Sequence, residues 1–335
     1  MERKNGKSGE NMRRAAILLA GILLLLTLTG CGSPDSGEKG KTVVVGFSQL
    51  GAESGWRIAN TRSMEDAART FGYTLMMENA NQKQDRQIAA IRQFIAYQVD
   101  VIVFSPIVET GWDNVLTEAK QAGIPVILMD RMIATQDDSL YTVYVGADFY
   151  AEGRRAGEYL IRKADAIGAE HLRIAEICGT TDSTPMRDRQ RGFMDVIGKD
   201  ERFTIVDSVE GDFLRSKGEE RMRELLEKYG TDGIDVVFAH NDAMMLGALD
   251  VLDKADAAAT RDMILITVDG EKDAVDALKA GRVNCVVQCT PDLGPAVMEL
   301  VGDLKAGRKP DKVTHPEESY FSDFDDLTDP RVEGF

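Results

Sequence analysis

The 335-residue sequence has few of the side chains on which most catalytic and metal-binding proteins depend. It contains three histidines and four cysteines, and their spacing fits neither a metal site nor a C-x-x-C redox motif. The G-x-S-x-G, G-x-x-x-x-G-K-[ST] and G-x-G-x-x-G motifs of hydrolases, P-loop proteins and dinucleotide-binding proteins do not occur. Carboxylates are abundant, so a glycosidase-like pair stays open, but no pair is singled out by an apolar setting.

Positive charge is also scarce. Residues 31–335 carry 35 basic and 54 acidic side chains, a net charge of −19. An acidic protein repels phosphate backbones, which argues against nucleic-acid binding. Hydrophobic residues make up 43% and aromatic residues 7% of the chain, which excludes disordered, collagenous and disulfide-scaffold classes. The length is that of about two domains.

Long hydrophobic runs are limited to one, which covers residues 15–28 and follows the basic pair Arg13-Arg14. Its 14 residues are too few for a membrane-spanning helix of about 20 residues. We interpret residues 1–30 as a signal peptide. The run ends in Leu-Thr-Gly-Cys31, which resembles a bacterial lipobox. The resemblance implies acylation of Cys31 and a lipid anchor, with residues 31–40 as a flexible tether. The alternative is an ordinary secreted protein with a chance cysteine.

The rest of the sequence alternates short apolar runs with amphipathic segments of helical period. This alternation is typical of buried parallel strands joined by helices, so we predict two successive doubly wound α/β lobes. The predicted strands are 42–47, 74–77, 101–104, 126–129, 142–145, 172–177, 204–209, 236–239, 264–268 and 283–288. The predicted helices are 56–71, 84–97, 112–122, 150–163, 186–197, 216–229, 243–252, one after 270, and 294–305.

Polar side chains follow several of these strands. Because ligands of α/β folds bind outside the carboxyl ends of parallel strands, the strand-end residues are candidates for a ligand site between the lobes. They occur in residues 48–57, 130–131, 182–191, 240–242, 269–270 and 288.

Seven segments carry a resemblance to a known family. The chain resembles the periplasmic sugar-binding proteins of ABC transporters, of the type I bilobal, ribose-binding-like class, and most of all their galactofuranose-binding members. The resemblance covers about Lys41 to the last helix, and the segments are GFSQLGAESGWR, FSPIVETGW, ILMDR, DRQRGF, GDFLRSKG, AHNDAM and TVDG, in that order.

The resemblance implies a set of ligand-binding residues. Aspartate accepts hydrogen bonds, arginine donates them as a planar fork, asparagine and glutamine do both, and an indole ring can cover the C–H face of a sugar. Gln288 matches the ribose-binding members only. The expected residues are Glu53, Ser54, Gly55, Trp56, Arg57, Asp130, Arg131, Arg189, Asn241, Asp269 and Gln288.

The resemblance also implies a binding protein and not an enzyme, with no cofactor and no metal. It predicts a monomer that captures a monosaccharide such as galactofuranose and delivers it to an ABC permease. A sensory module for a membrane kinase and, less favoured, a secreted carbohydrate-active enzyme are the alternatives. Three chain crossings near Gly146, Asp269 and Pro310 would form the hinge. The expected lobes are 41–145 with 270–310, and 146–269 with 311–335.

Each candidate also has a purely structural interpretation. Trp56 could pack in the core, Asp130 and Arg131 could form a surface ion pair, and Arg189 could lie on a solvated helix face. Asn241 and Asp269 could be N-caps of the helices that follow them, and the backbone beside Glu53 could replace its side chain as the ligand contact.

Overall fold

The first lobe is built around a parallel sheet whose central strands are buried on both faces. The computed structural model describes residues 42–52, 54–255 and 262–335. All four residues of Val101–Phe104 and of Val126–Met129 are buried, as continuous apolar runs predict for central parallel strands. The elements of this part are β1 (Val44–Gln49), α1 (Gly55–Phe71), β2 (Thr74–Asn79), α2 (Gln84–Tyr97), β3 (Val101–Phe104), α3 (Asp113–Gln121), β4 (Val126–Met129) and β5 (Val143–Val145).

The second lobe repeats this arrangement, after which the chain passes back to the first lobe and then again to the second. In chain order, the remaining elements are α4 (Phe149–Ile167), β6 (Leu172–Cys178), α5 (Thr184–Ile197), β7 (Phe203–Glu210), α6 (Arg215–Tyr229), β8 (Val236–Ala239), α7 (Asp242–Leu252), β9 (Ile264–Asp269), α8 (Lys272–Lys279), β10 (Cys285–Gln288), α9 (Gly294–Lys305), β11 (Val313–Thr314) and β12 (Tyr320–Ser322).

Both sheets have the same strand order. The first is β11-β5-β4-β3-β1-β2, and the second is β12-β10-β9-β8-β6-β7. All neighbouring pairs are parallel except β10 and β12. Each is a doubly wound sheet with its topological switch beside its first strand, where ligands of such folds bind. The predicted fold class is confirmed.

Two of the predicted lobe boundaries need correction. Strand β10 pairs with β9 in the second sheet, with Cys285 opposite Ile266, so residues 270–288 belong to the second lobe. Strand β11 pairs with β5 in the first sheet, with Val313 opposite Tyr144. The chain therefore changes sheets in residues 289–293 and 315–319, and not near Asp269 and Pro310. The change after β5 falls in residues 146–148.

The two strands after residue 307 were not predicted, because that segment is polar and has no period.

The predicted signal peptide at residues 1–30, the predicted tether at residues 31–40 and the predicted acylation site Cys31 all lie outside the described residues. Among the described residues, no helix combines the length and the apolar character needed to cross a membrane.

Glycines let helices α4 and α5 approach closely in the second lobe. A Cβ atom on Gly153 would lie 2.0 Å from the carbonyl oxygen of Arg189, and one on Gly192 would lie 2.1 Å from that of Tyr150. The contact sets the position of α5, and with it that of Arg189.

Candidate functional site

A small cavity lies between the two lobes at the carboxyl ends of their strands. Clefts of this kind, at the switch points of α/β sheets, are where small ligands bind. Side chains of both lobes line it, and eight of the eleven predicted ligand-binding residues are among them. The lining residues are Ser54, Trp56, Arg57, Asp130, Arg131, Phe149, Pro185, Arg189, Phe213, Asn241, Asp269 and Cys289.

In the first lobe, Asp130 is the centre of a buried polar group. It follows β4 with a left-handed backbone, φ 68°, a conformation that costs energy in a residue other than glycine. Its Oδ2 accepts hydrogen bonds from Arg57 Nη2 at 2.7 Å and from Ser105 Oγ at 2.9 Å. Arg131 donates from Nη1 to the carbonyl oxygen of Ile107 at 3.1 Å. Asp130 and Arg131 are both 4% exposed, so the surface ion-pair interpretation is wrong.

In the second lobe, Arg189 is held by three oxygen atoms. Its Nε donates to Glu152 Oε2 at 2.7 Å, and its Nη1 donates to the carbonyl oxygen of His240 at 2.6 Å. Its Nη2 lies 3.7 Å from Asp269 Oδ1. Arg189 is 3% exposed, so it does not lie on a solvated helix face. Glu152, which the sequence did not single out, fixes the guanidinium and balances its charge.

Asp269 ends β9 and faces this guanidinium. Its backbone has φ 132°, a strained value for a residue with a side chain. Burial raises the pKa of Asp269, and Arg189 opposes the rise. This carboxyl is 5% exposed, and Arg189 is its neighbouring cation. A ligand hydroxyl would donate a hydrogen bond to it.

Aromatic rings form the apolar walls. The indole of Trp56 is 5% exposed, and its Nε1 donates to the carbonyl oxygen of Cys289 at 2.8 Å. The guanidinium of Arg131, from the first lobe, lies 5.1 Å from the ring centre of Phe213, from the second. That of Arg189 lies 5.1 Å from the ring centre of Phe149. Each arginine fork is thus set against an aromatic face, which restricts its orientation.

Asn241 is the N-cap of helix α7 and also lines the cavity. Its Oδ1 accepts from the backbone N–H of Met244 at 3.0 Å, which caps helix α7. Its Nδ2 donates to the carbonyl oxygen of Phe213 at 3.3 Å, and the side chain also lines the cavity. The neighbouring Asp242 accepts from Thr267 and from the backbone of Gly270 and Glu271.

Two predicted residues that the structure describes, Gly55 and Gln288, are not among the cavity lining. Gly55 lies against the carboxylate of Glu271. Gln288 ends β10, and its backbone N–H donates to the carbonyl oxygen of Ser319 at 2.8 Å. Glu53 lies outside the described residues. Ser54 does line the cavity, and its Oγ accepts from the backbone N–H of Arg57 at 3.3 Å as the N-cap of α1.

Four lining residues were missed: Phe149, Pro185, Phe213 and Cys289. All four come shortly after a strand, so the strand-end rule could have found them. The strand-end expectation was limited to polar side chains.

The described part of the cavity lining holds no activated nucleophile. Cys289 is buried, and burial, followed by the neighbouring carboxylates, raises the pKa of its thiol. The protonated thiol is a poor nucleophile. The only hydroxyl group on the lining, that of Ser54, serves the helix cap. This donor set can bind and orient a polar molecule.

Two buried groups combine residues that bind metals in other proteins. They are Glu176 with Cys178 and His240, and Glu152 with Cys289 and Glu318. In the first, Glu176 already accepts from His240, Ser208 and Gln190. In the second, Glu152 pairs with Arg189. Protein donors thus engage both oxygens of Glu176 and Oε2 of Glu152, whereas Glu152 Oε1 and His240 Nδ1 are buried without a hydrogen-bond partner in the described part of the chain.

The fold and the site together define a bilobal binding protein. The family of the periplasmic binding protein domain matches residues 45–309, and the chain belongs to this family. Its members are extracytoplasmic substrate-binding proteins and not enzymes.

The relatives give this membership its detail. The galactofuranose-binding protein YtfQ of Escherichia coli is 39% identical over 274 residues, which are 81% of this chain and 85% of that protein. A crystal structure from Mycobacterium smegmatis in complex with β-D-fucofuranose is 44% identical, with a TM-score of 0.80, and covers 84% of this chain and 91% of its own. The fructose-binding periplasmic domain of the hybrid two-component system BT1754 is 25% identical, with a TM-score of 0.76, and covers 85% and 92%.

Proposed function

We propose that this protein captures one monosaccharide, in its furanose form, between its lobes and delivers it to an ABC permease. The observation that carries the proposal is the pairing of Arg131 with Phe213 and of Arg189 with Phe149 around one cavity. A sugar presents hydroxyls that donate and accept together with apolar C–H faces, and this lining offers partners for both.

The energy of such a site is sufficient for micromolar binding. A hydrogen bond to a charged group contributes roughly 1.5–3 kcal/mol net. A few of these bonds, with the apolar contact of the rings, reach the ~8 kcal/mol of a micromolar complex. Asp130, Arg131, Arg189, Asn241 and Asp269 would supply them.

Closure of the lobes would complete the site. The first lobe already contacts the second at the rim, where the N–H of Glu109 donates to the carbonyl oxygen of Asp182 at 3.0 Å. The N–H of Met132 donates to Thr184 Oγ1 at 3.2 Å. A ligand that contacts both lobes favours this closed arrangement over an open one, with bending in residues 146–148, 289–293 and 315–319.

The ring form rests on the relatives. One binds galactofuranose by its name, and another was crystallised with β-D-fucofuranose. Their identities to this chain, 39% and 44%, support a furanose ligand here.

The experiment is a thermal-shift screen of the purified protein with galactose, arabinose, ribose, xylose, glucose and fructose. A bound sugar in excess raises the melting temperature by mass action. We expect galactose or arabinose to give the largest rise, and Arg131→Ala and Asn241→Ala to abolish it. Arg92→Ala, which removes an exposed arginine of α2, should leave the rise in melting temperature unchanged. A rise that survives in both site variants would refute the site. Conversion of the sugar during long incubation would indicate an enzyme.

The partner and the anchor need separate tests. The two-component relative favours a sensor kinase as the second candidate partner. Cross-linking of the sugar-loaded protein in its native membrane should capture a permease, and capture of a kinase would favour the second candidate.

A lipid anchor at Cys31 predicts that Cys31→Ser releases the protein from the membrane fraction. A variant that stays there would refute the anchor.

A further inference from the structure

The amino end of helix α1 is occupied by a carboxylate from the opposite lobe. Oε1 of Glu271 accepts the backbone N–H of Trp56 at 3.0 Å. Its Oε2 lies beside Gly55, where an added Cβ atom would come within 2.5 Å of it. The first N–H groups of a helix have no partner within the helix, and its positive end favours an anion. The carboxylate of Glu271 thus accepts the N–H of Trp56, whereas the N-cap side chain of Ser54 accepts that of Arg57.

Glu271 itself is held in place by the second lobe. Its backbone N–H and that of Gly270 both donate to Asp242 Oδ2, at 2.6 and 2.8 Å. Oδ1 of Asp242 accepts from Thr267 Oγ1 at 2.8 Å. Asp242 and Thr267 are both buried. The turn that carries Glu271 is therefore held by hydrogen bonds that lie entirely within the second lobe.

The same turn connects this contact to the cavity. Asp269, two residues before Glu271, lines the cavity, and so does Trp56, whose N–H the carboxylate accepts. Any separation of the lobes removes the Trp56–Glu271 bond, whereas the bonds that hold Glu271 lie within the second lobe and persist. The bond therefore stabilises the closed arrangement selectively.

We infer that Glu271 is a positioning residue that holds the lobes closed by binding the amino end of helix α1 across the cleft. The inference rests on the proposed function, because it explains how a sugar, once enclosed, is retained. It also assigns Gly55 a role. The carboxylate of Glu271 occupies the space that a Cβ atom on residue 55 would need. Alanine is a good residue for the first turn of a helix, so Gly55→Ala should leave the first lobe folded while displacing Glu271.

The test measures closure directly. Glu109 and Asp182 lie next to each other on opposite lobes through their backbone hydrogen bond, so cysteines at both positions form a disulfide only when the lobes close. In the full chain with these two cysteines, the rate of disulfide formation without sugar reports the closed population. We expect Glu271→Ala to slow it about 3- to 30-fold, the range of a charged group at a helix end. Gly55→Ala should slow it too, and the double variant should be no slower than Glu271→Ala.

Asp273→Ala is the matched control, since it removes an exposed carboxylate two residues further along. It should leave the rate unchanged. With a sugar from the screen, Glu271→Ala should raise the dissociation rate constant by a similar factor and leave the association rate constant nearly unchanged. If Glu271→Ala formed the disulfide as fast as Asp273→Ala, the inference would be overturned. Because trapping needs no ligand, failure of every sugar to bind would refute the proposed function without deciding the role of Glu271.

Discussion

Arg57 and Asp130 form an ion pair of 2.7 Å beneath the cavity, with side chains 4% and 6% exposed. The pair connects the first turn of α1 to the end of β4, so it fixes two predicted ligand residues relative to each other. Loss of one member of a buried pair leaves a poorly solvated charge, which is costly. We expect Asp130→Ala to lower the free energy of unfolding by about 3–5 kcal/mol, measured by urea titration.

The control for this prediction lies on the same helix. Asp66 forms an exposed pair with Arg69, and such pairs contribute little. Asp66→Ala should change the free energy of unfolding by less than about 0.5 kcal/mol. If both variants lost the same free energy of unfolding, the buried pair would stabilise the protein no more than the exposed pair does.

The contact between α4 and α5 predicts a linked effect on stability and binding. Gly153→Ala places a Cβ atom against the carbonyl oxygen of Arg189, so α5 must shift. Overpacking of this kind costs about 1–3 kcal/mol, and sugar affinity should fall with it because Arg189 moves. Gly302→Ala, in α9, is the matched control, since its Cβ would meet only the hydroxyl of Tyr73, at 3.1 Å. Titration calorimetry and urea unfolding of both variants would check this, and unchanged affinity in Gly153→Ala would contradict it.

Glu318 predicts a decline of stability towards alkaline pH. Burial and the nearby Glu152 raise its pKa to about 8, against the opposing hydrogen bond from the Thr290 N–H. Between about pH 4.5 and pH 8 the folded protein holds a proton that the unfolded chain has released. Its contribution to stability is thus complete below pH 4.5 and is lost as the pH rises through 8. The loss over this range should be on the order of 5 kcal/mol.

Glu318→Gln should make this decline shallower, as measured by urea unfolding at pH 5, 6.5 and 8, while Asp242 and Asp269, whose pKa values burial also raises, keep part of it. Glu317→Gln, at the exposed neighbouring position, should retain the full decline. If Glu318→Gln kept the slope of the unaltered protein, the buried carboxyl would not be its source.

The buried ion cluster of Glu176 predicts the opposite trend at acid pH. Burial opposes its ionisation, but hydrogen bonding and charge from His240, with the bonds from Ser208 and Gln190, outweigh burial and lower its pKa to about 2. A depressed pKa contributes stability above about pH 4.5 that is lost as the pH falls towards 2. Glu176→Gln should therefore be destabilised at pH 7 and match the unaltered protein near pH 2. A constant difference between the two proteins across this range would contradict the prediction.

Sequence periodicity predicted most of the sheet and part of the site, for reasons visible in particular residues. The run Val101–Phe104 is apolar throughout because both of its faces are buried, and that signal is local. The run that became β10 also predicted a strand, but which sheet it joins depends on its pairing with β9, which is not local. The crossings were misplaced for this reason.

The missed site residues have a similar explanation. Phe149 and Phe213 are apolar residues after strands, and by pattern alone they look like core. Glu271 is one glutamate in an acidic stretch, and only the approach of α1 from the other lobe gives its carboxylate a partner. Contacts between lobes leave no periodic trace in the sequence.

The central claim is that one sugar ring is enclosed by both lobes at this cavity. A crystal structure of the protein grown with the sugar that gives the largest thermal shift tests it most directly. The account predicts a single furanose ring in contact with Arg131 and Asp130 on one side and with Arg189, Asn241 and Asp269 on the other. A sugar bound elsewhere, or held by one lobe alone with these side chains turned away from it, would contradict the account.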